Sequence, residues 1–459
     1  MWRHLARGAA LATSGWLLST VVAMAAGLPS FQALVDQAEP NSVLSPPAGR
    51  YAGPVLIDKP LQIDGRGEVT IDAGGKGSVI VLDTDGATVR NLHLTNSGNS
   101  HNDIDAGVQV RGNFNVVKDN VIDDCLFGID LQQSANNIVR RNRITSKAVD
   151  LGIRGDAIRL WYSFNNRIEE NSAVDSRDIV VWYSRDNVIR RNSARGGRYS
   201  LHFMYSQYNL VEENDFRGNS VGIFLMYSDS VIVRRNHISH AAGAAGVGIG
   251  FKETSDVDIV DNEILYCATG LHLDVSPFQP DTSNRIHGNL LAYNGIGIQF
   301  LNDWTGNVFE DNLLKGNLTP VAVLGGKTAA RNDWNGNHWD DYAGFDRDRD
   351  GIGDTPYEQY AYADRIWMDV PPARFFKGTP MLEVLDFLER LAPFTSPDLL
   401  LRDNKPLMAA EFRLDKSPTT PVAPTRSPNG DDASGQSTDA QPAEPDAYQL
   451  LLKSLGRQD

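Results

Sequence analysis

The chain has 459 residues, 41% hydrophobic and 22% charged, with a formal net charge of −15 at pH 7. This length is enough for a large buried core and more than one structural unit. The acidic balance argues against nucleic acid as a partner and suits cations or a basic protein surface.

The N-terminus reads as an export signal spanning residues 1–25. Arg3 and Arg7 precede an apolar run from Ala9 to Met24, and Ala23-Met24-Ala25 is a small-x-small cleavage pattern. Thr13, Ser14, Gly15, Ser19 and Thr20 interrupt the run, which is too short and too polar for a membrane anchor. No paired arginines precede it, so a Sec-type route is expected. Without residues 1–25, 41 basic residues face 58 acidic ones, a formal charge of −17.

Residues 26–345 read as an all-β solenoid, a right-handed parallel β-helix of about 22-residue coils. The early coils include "VLIDKPLQIDGRGEVTIDAGG" and "DGATVRNLHLTNSG". From residue 117 an asparagine recurs at 120, 142, 171, 192, 214, 236, 262, 289, 312 and 337, at spacings of 21 to 29 residues. Between these lie a Gly-Ile or Gly-Leu step opening an alternating strand ("GIDL", "GIFL", "GLHL", "GIQF"), a polar turn, and a second strand such as "NNIVRRN" or "YNLVEEN". Short alternating strands with polar turns at this period are the signature of stacked coils. The residues before the repeated asparagine alternate in sign: Arg140-Arg141, Glu169-Glu170, Arg190-Arg191, Glu212-Glu213, Arg234-Arg235. In-register stacking puts each pair between opposite charges about 4.8 Å away, which sets register. Being exposed, the pairs are expected to add little stability. Cys125 and Cys267 each follow a repeated asparagine by five residues. They therefore share a column, about six coils or roughly 29 Å apart, too far for a disulfide. Asn219, Asn294 and Asn317 hold the same column, which marks a turn position.

Four strands carry a distinct outward face: "IRLWYS", "IVVWYS", "LHFMYS" and "IFLMYS". Alternation turns Leu201 and Phe203 inward and His202 and Met204 outward, and Met226 follows 22 residues after Met204. The outward column is then Trp161, Trp182, Met204, Met226. His202, Met204 and Met226 form an exposed cluster within reach of one small ion. Imidazole and thioether ligands without carboxylates suit Cu(I). The alternative is an apolar patch for a protein partner. His272 and Asp274 occupy the same two columns two coils beyond Met226, as a harder-ligand variant.

Residues 346–372 read as an Asp-rich terminal loop and cap. In "GNHWDDYAGFDRDRDGIGDTPY", Asp346, Asp348 and Asp350 alternate, Gly351 supplies a sharp turn and Asp354 falls at the ninth place. This spacing suits Ca²⁺, although Tyr357 stands where a bidentate Glu belongs. The alternative is a solvated turn held by Asx hydrogen bonds. Residues 373–413 form a helical C-terminal segment in which Thr379-Pro380 opens the amphipathic "PMLEVLDFLERL". Residues 414–447, rich in Pro, Ser, Thr, Asp and Gly, read as a disordered linker. Residues 448–459 carry an apolar stretch that reads as a docking peptide or a frayed helix.

The "RRN" and "EEN" coils followed by "GNHWDDYAGFDRDRDGIGDTPY" resemble NosD-type proteins, the periplasmic maturation factors of nitrous oxide reductase. The resemblance covers roughly residues 45–390 and is most specific at its Asp-rich end. It implies a non-enzymatic accessory protein, peripheral to the inner membrane. Such a protein works with an ABC permease and its ATPase, receives copper from a small lipoprotein chaperone and supports assembly of the reductase's copper–sulfur centre. It gives weight to His202, Met204 and Met226 as a transfer site, although no family motif fixes those positions. The rival class is a polysaccharide lyase or uronan C5-epimerase on the same fold. Asp103, Asp105, Arg111, Arg154, Asp156 and Arg159 are its candidate groove, but no tight acid–base constellation repeats and no "DPHD" segment is present. A third class, an adhesive sugar-binding solenoid, would use Trp161 and Trp182 as a stacking platform.

Overall fold

The computed structural model describes residues 27–243, 246–325, 328–362, 365–376, 378–392 and 397–409. The expected export signal, the linker at 414–447 and the docking peptide at 448–459 lie outside them. A short helix, Phe31–Gln37, stands at the N-terminal end with Phe31 and Val35 buried. The chain then winds into a right-handed parallel β-helix of about 13 turns. Each coil gives strands to a 12-stranded sheet and to a 24-stranded sheet. The larger sheet is two columns of short strands, joined where Gln62–Asp72 and Thr88–Thr95 run through both. Ile129, Leu201, Ile223, Leu271 and Ile298 line the inner face of the smaller sheet without solvent exposure. The Gly-Ile step has a steric origin: a Cβ on Gly222 would meet the Gly248 carbonyl oxygen of the next coil at 2.3 Å.

The asparagines form a buried ladder. The Asn192 backbone N–H donates to Asn214 Oδ1 (2.9 Å), and Asn192 Nδ2 donates to Asn214 Oδ1 (3.1 Å) and Ile168 O (2.8 Å). The residue before each rung takes the left-handed conformation, as at Glu170 (φ 55°), Arg191 (53°) and Glu213 (56°). A second ladder, Asn115, Asn137, Asn166, Asn187 and Asn209, runs beside it with the same bonds. Coil turns need these side chains because their backbone amides point along the axis, where no strand receives them.

The alternating charges pair in register: Arg140 with Glu169, Glu169 with Arg190, Arg190 with Glu212, and Glu212 with Arg234. The expected exposure does not hold for the carboxylates. Glu169 and Glu212 are buried, and Arg190 and Arg234 reach them at 3.0 and 2.9 Å. Of the second members, Arg141, Arg191 and Glu213 are exposed, whereas Glu170 and Arg235 are half-buried, as are Arg140, Arg190 and Arg234. Cys125 and Cys267 are free and buried. The Cys267 backbone donates to Asn294 Oδ1, and Asn294 in turn to Asn317 Oδ1, so the shared column is present.

The coils end at Asn337, where Asp403 caps the ladder. Its Oδ2 accepts from Asn337 N and Nδ2 (3.0 Å each) and from Trp339 Nε1 (3.2 Å). Asp403 belongs to the strand Asp398–Asp403, antiparallel to Tyr357–Ala361. The 373–413 segment is therefore not helical throughout. The helix Pro380–Leu391 is present with Thr379 at its cap, but the Thr379 hydroxyl makes no cap bond. Among the described residues no helix is long and apolar enough to cross a membrane.

Candidate metal centre

Register in the 12-stranded sheet fixes the outward columns. Trp161 pairs with Trp182, Trp182 with Met204, Met204 with Met226, Met226 with Lys252 and Lys252 with Asp274. The neighbouring column runs Arg159, Val180, His202, Phe224, Gly250, His272. His202, Met204 and Met226 are thus on one face. His272 and Asp274 lie two coils beyond Met226, separated from it by Lys252.

The cluster is not exposed as its outward direction suggested. His202 is only 5% accessible, while Met204 and Met226 are half-buried. The reason is the aromatic surround. Tyr199 stacks on the His202 imidazole at 4.7 Å, and Trp182 meets it edge-to-face at 5.9 Å. Phe224, the direct neighbour of His202, leans the other way: its ring lies where a Cβ on residue 250 would stand, at 2.3 Å, so Gly250 makes the room. With Phe224 folded over Gly250, His202 Nε2 reaches diagonally to Met226 Sδ at 3.1 Å. The imidazole nitrogen and the thioether sulfur are thus adjacent, both within reach of one small ion.

His202 Nδ1 is buried with no hydrogen-bond partner. A thioether is a weak acceptor, so the imidazole is held in an apolar box with little polar compensation. Burial lowers its pKa to about 4; Asp178 opposes this, and Arg198 and Arg177 add to it. The ring is neutral at neutral pH, the state a metal requires.

Each "WYS" or "MYS" triplet does three jobs. The Trp or Met faces outward. The Tyr takes a left-handed turn conformation (φ 48–52° at Tyr162, Tyr183, Tyr205 and Tyr227). The Ser hydroxyl accepts the backbone N–H of the coil before, as Ser184, Ser206 and Ser228 do at 3.0 to 3.1 Å. The four tyrosines stack at 4.8 to 5.2 Å into a ladder beside the outward column. The repeated triplet was visible in sequence, but the ladder and the stacking role of Tyr199 were not read from it. Lys252 closes the far side, 5.8 Å over Tyr227.

The candidate groove of the rival class divides differently. Asp105, Asp156 and Arg159 are buried. Asp156 accepts two bonds from Arg177 (2.9 and 3.0 Å), and Arg159 pairs with Asp130 at 2.8 Å. Burial raises the Asp156 carboxyl to about 6 against the pull of Arg177. Arg154 donates to the Val149 and Asp175 carbonyls, and Arg111 to Gln109. Asp103 caps Ser100 at the surface. Arg177 and Arg159 lie within electrostatic reach of Asp156, and Arg159 and Arg111 of Asp130, so these groups form an arginine–carboxylate network along the coils.

In the terminal loop, Asp346, Asp348 and Asp350 bring carboxylate oxygens within 4.8 Å of one another. Asp346 accepts from Arg349, Asp350 and Gly351 N–H, and Asp354 from Arg347 N–H. Desolvation works to raise the Asp346 carboxyl, yet these amides hold it below the usual range; the Asp350 charge pushes Asp348 up. Asp354 is tied to the opposite side of the turn and is not part of the three-carboxylate group.

Residues 141–344 match the family model described as "Periplasmic copper-binding protein (NosD)", and residues 68–173 match a right-handed β-helix region. A "Probable ABC transporter binding protein NosD" from Pseudomonas aeruginosa is 34% identical over 439 residues, 89% of this chain and 99% of that protein. One of the same name from Stutzerimonas stutzeri is 33% identical over 127 residues, 27% of this chain and 29% of its own length. Among solved structures, the A-module of a mannuronan C-5 epimerase from Azotobacter vinelandii aligns with TM-score 0.47 at 18% identity, covering 66% of this chain and 93% of that one. A PL6 alginate lyase in complex with a trisaccharide aligns with TM-score 0.45 at 14% identity, covering 64% and 85%. The 34% identity that spans nearly the whole Pseudomonas protein, together with the family match across the His202 coils, means that this chain belongs to the NosD family.

Proposed function

We propose that the protein is a periplasmic accessory factor that accepts Cu(I) at His202, Met204 and Met226 and passes it on for assembly of the nitrous oxide reductase copper centre. The observation that carries this reading is a buried, neutral imidazole whose Nε2, among the described residues, has the Met226 sulfur as its one polar neighbour. A soft cation satisfies both groups at once, whereas a hydrogen-bond network of water or carboxylates does not. The family description as copper-binding supports copper as the cargo.

The relatives' name supports an ABC permease and its ATPase as partners. A small copper chaperone lipoprotein is the proposed donor and nitrous oxide reductase the recipient. The helix Pro380–Leu391 supports permease docking: Met381, Val384, Phe387, Leu388 and Leu391 lie exposed on it. The residues at 448–459 are proposed to join that contact. The Asp346, Asp348 and Asp350 carboxylates are proposed as a structural Ca²⁺ site.

The test is an anaerobic Cu(I) competition between the purified protein and a chromophoric chelator, with a Met204→Ala/Met226→Ala variant alongside. One equivalent bound by the wild type and lost in the variant is expected. Equal binding by both, or none by either, overturns the assigned ligands.

A further inference from the structure

Trp182, part of the aromatic surround of His202, also borders the methionine column. Trp182 lies one coil before Met204 in the outward column, so their side chains are neighbours about 4.8 Å apart along the axis. Its indole also meets His202 at 5.9 Å with the rings perpendicular. It therefore flanks two of the three assigned ligands. Met226 and Lys252 continue the column on the other side.

Two details set Trp182 apart from Trp161. The Arg159 guanidinium sits over the Trp161 ring at 4.8 Å, so that face already holds a cation. Among the described residues no cation lies over Trp182. The Trp182 Nε1–H is buried without an acceptor, although a buried indole N–H usually finds one. The indole is thus placed by packing alone, with no hydrogen bond directing it elsewhere, beside an imidazole whose Nδ1 is equally unpartnered. Indole is the strongest of the aromatic cation receptors.

We propose that Trp182 is a fourth, non-bonding member of the centre: Cu(I) held by His202 and the methionines lies against the indole, which adds a cation–π contact and keeps water off the ion. This rests on the copper reading of the same residues and goes beyond it by assigning the wall. It gives the centre a monovalent preference. A divalent ion brings a hydration shell that an indole cannot replace, whereas a three-ligand soft monovalent ion needs no further donor.

The experiment titrates Cu(I), and Ag(I) as a redox-inert probe, into the protein while indole fluorescence and the near-ultraviolet difference spectrum are recorded. The same titration is run on Trp182→Phe, Trp182→Leu and Trp161→Phe. The expected result is metal-dependent quenching and a difference band in the wild type and in Trp161→Phe, both lost in Trp182→Phe. Trp182→Leu is expected to bind one equivalent roughly 3- to 30-fold more weakly. If the variants fold poorly, the Trp182 indole N–H resonance of the wild type must still shift on adding Ag(I). Unchanged quenching in Trp182→Phe, or unchanged affinity in Trp182→Leu, overturns the wall while leaving copper binding in place. A wild type that binds neither ion overturns both readings.

Discussion

The low pKa of His202 makes a prediction about copper binding that an ordinary surface histidine would not obey. Metal and proton compete for the imidazole, so affinity falls by a factor of one plus ten raised to the difference between pKa and pH. A histidine with the usual pKa of about 6.5 binds metal roughly 30-fold more weakly at pH 5 than at high pH. With its pKa lowered to about 4 by burial, His202 loses only about a tenth of its affinity at pH 5. The thioethers carry no proton and add no dependence. Cu(I) affinity, measured by chelator competition at pH 5, 6 and 7 and corrected for the chelator's own protonation, is therefore expected to be flat. A tenfold weakening by pH 5 would refute the argument and show that His202 charges normally. Stability carries the opposite signature. Because the folded pKa is depressed, the unfolded chain holds more protons between pH 4 and 6.5. Stability rises with pH across that window and is lost as pH falls through it, by about 3 kcal/mol in all. His202→Phe keeps the stacking on Tyr199 and removes this slope.

The remaining predictions concern the frame and the loop. Asp403→Ala leaves the Asn337 N–H and Trp339 Nε1–H buried without their acceptor, and costs about 2–6 kcal/mol in denaturant unfolding. A loss under 1 kcal/mol would mean that water replaces the carboxylate. Burial pushes the Cys125 and Cys267 thiols up to about 12 and about 11, so neither is alkylated at pH 8 until the protein unfolds. Mass spectrometry showing prompt native labelling would contradict their burial. Millimolar Ca²⁺ is expected to raise the melting temperature of the wild type but not of Asp350→Asn, since the three-carboxylate group then loses a charge. Equal curves with and without Ca²⁺ would assign the loop to a solvated turn.

Sequence determined the repeat and its register. Alternation at period two and an asparagine every coil are local facts of the chain, and stacking identical coils leaves one way to align Arg140, Glu169 and Arg190. The Met204-over-Met226 column follows from the same arithmetic. What sequence did not contain was how the outward side chains settle against one another. Phe224 folds over Gly250, and only then does His202 reach Met226 across the diagonal. Tyr199 and Trp182 enclose the imidazole from two coils, turning an expected exposed ligand into a buried neutral one. Asp403 was equally silent, because the rung it caps is 66 residues away in the chain. Period and alternation decide which face a residue occupies. Burial, rotamer choice and long-range caps depend on neighbours one coil or many residues away, and only the folded stack brings these together.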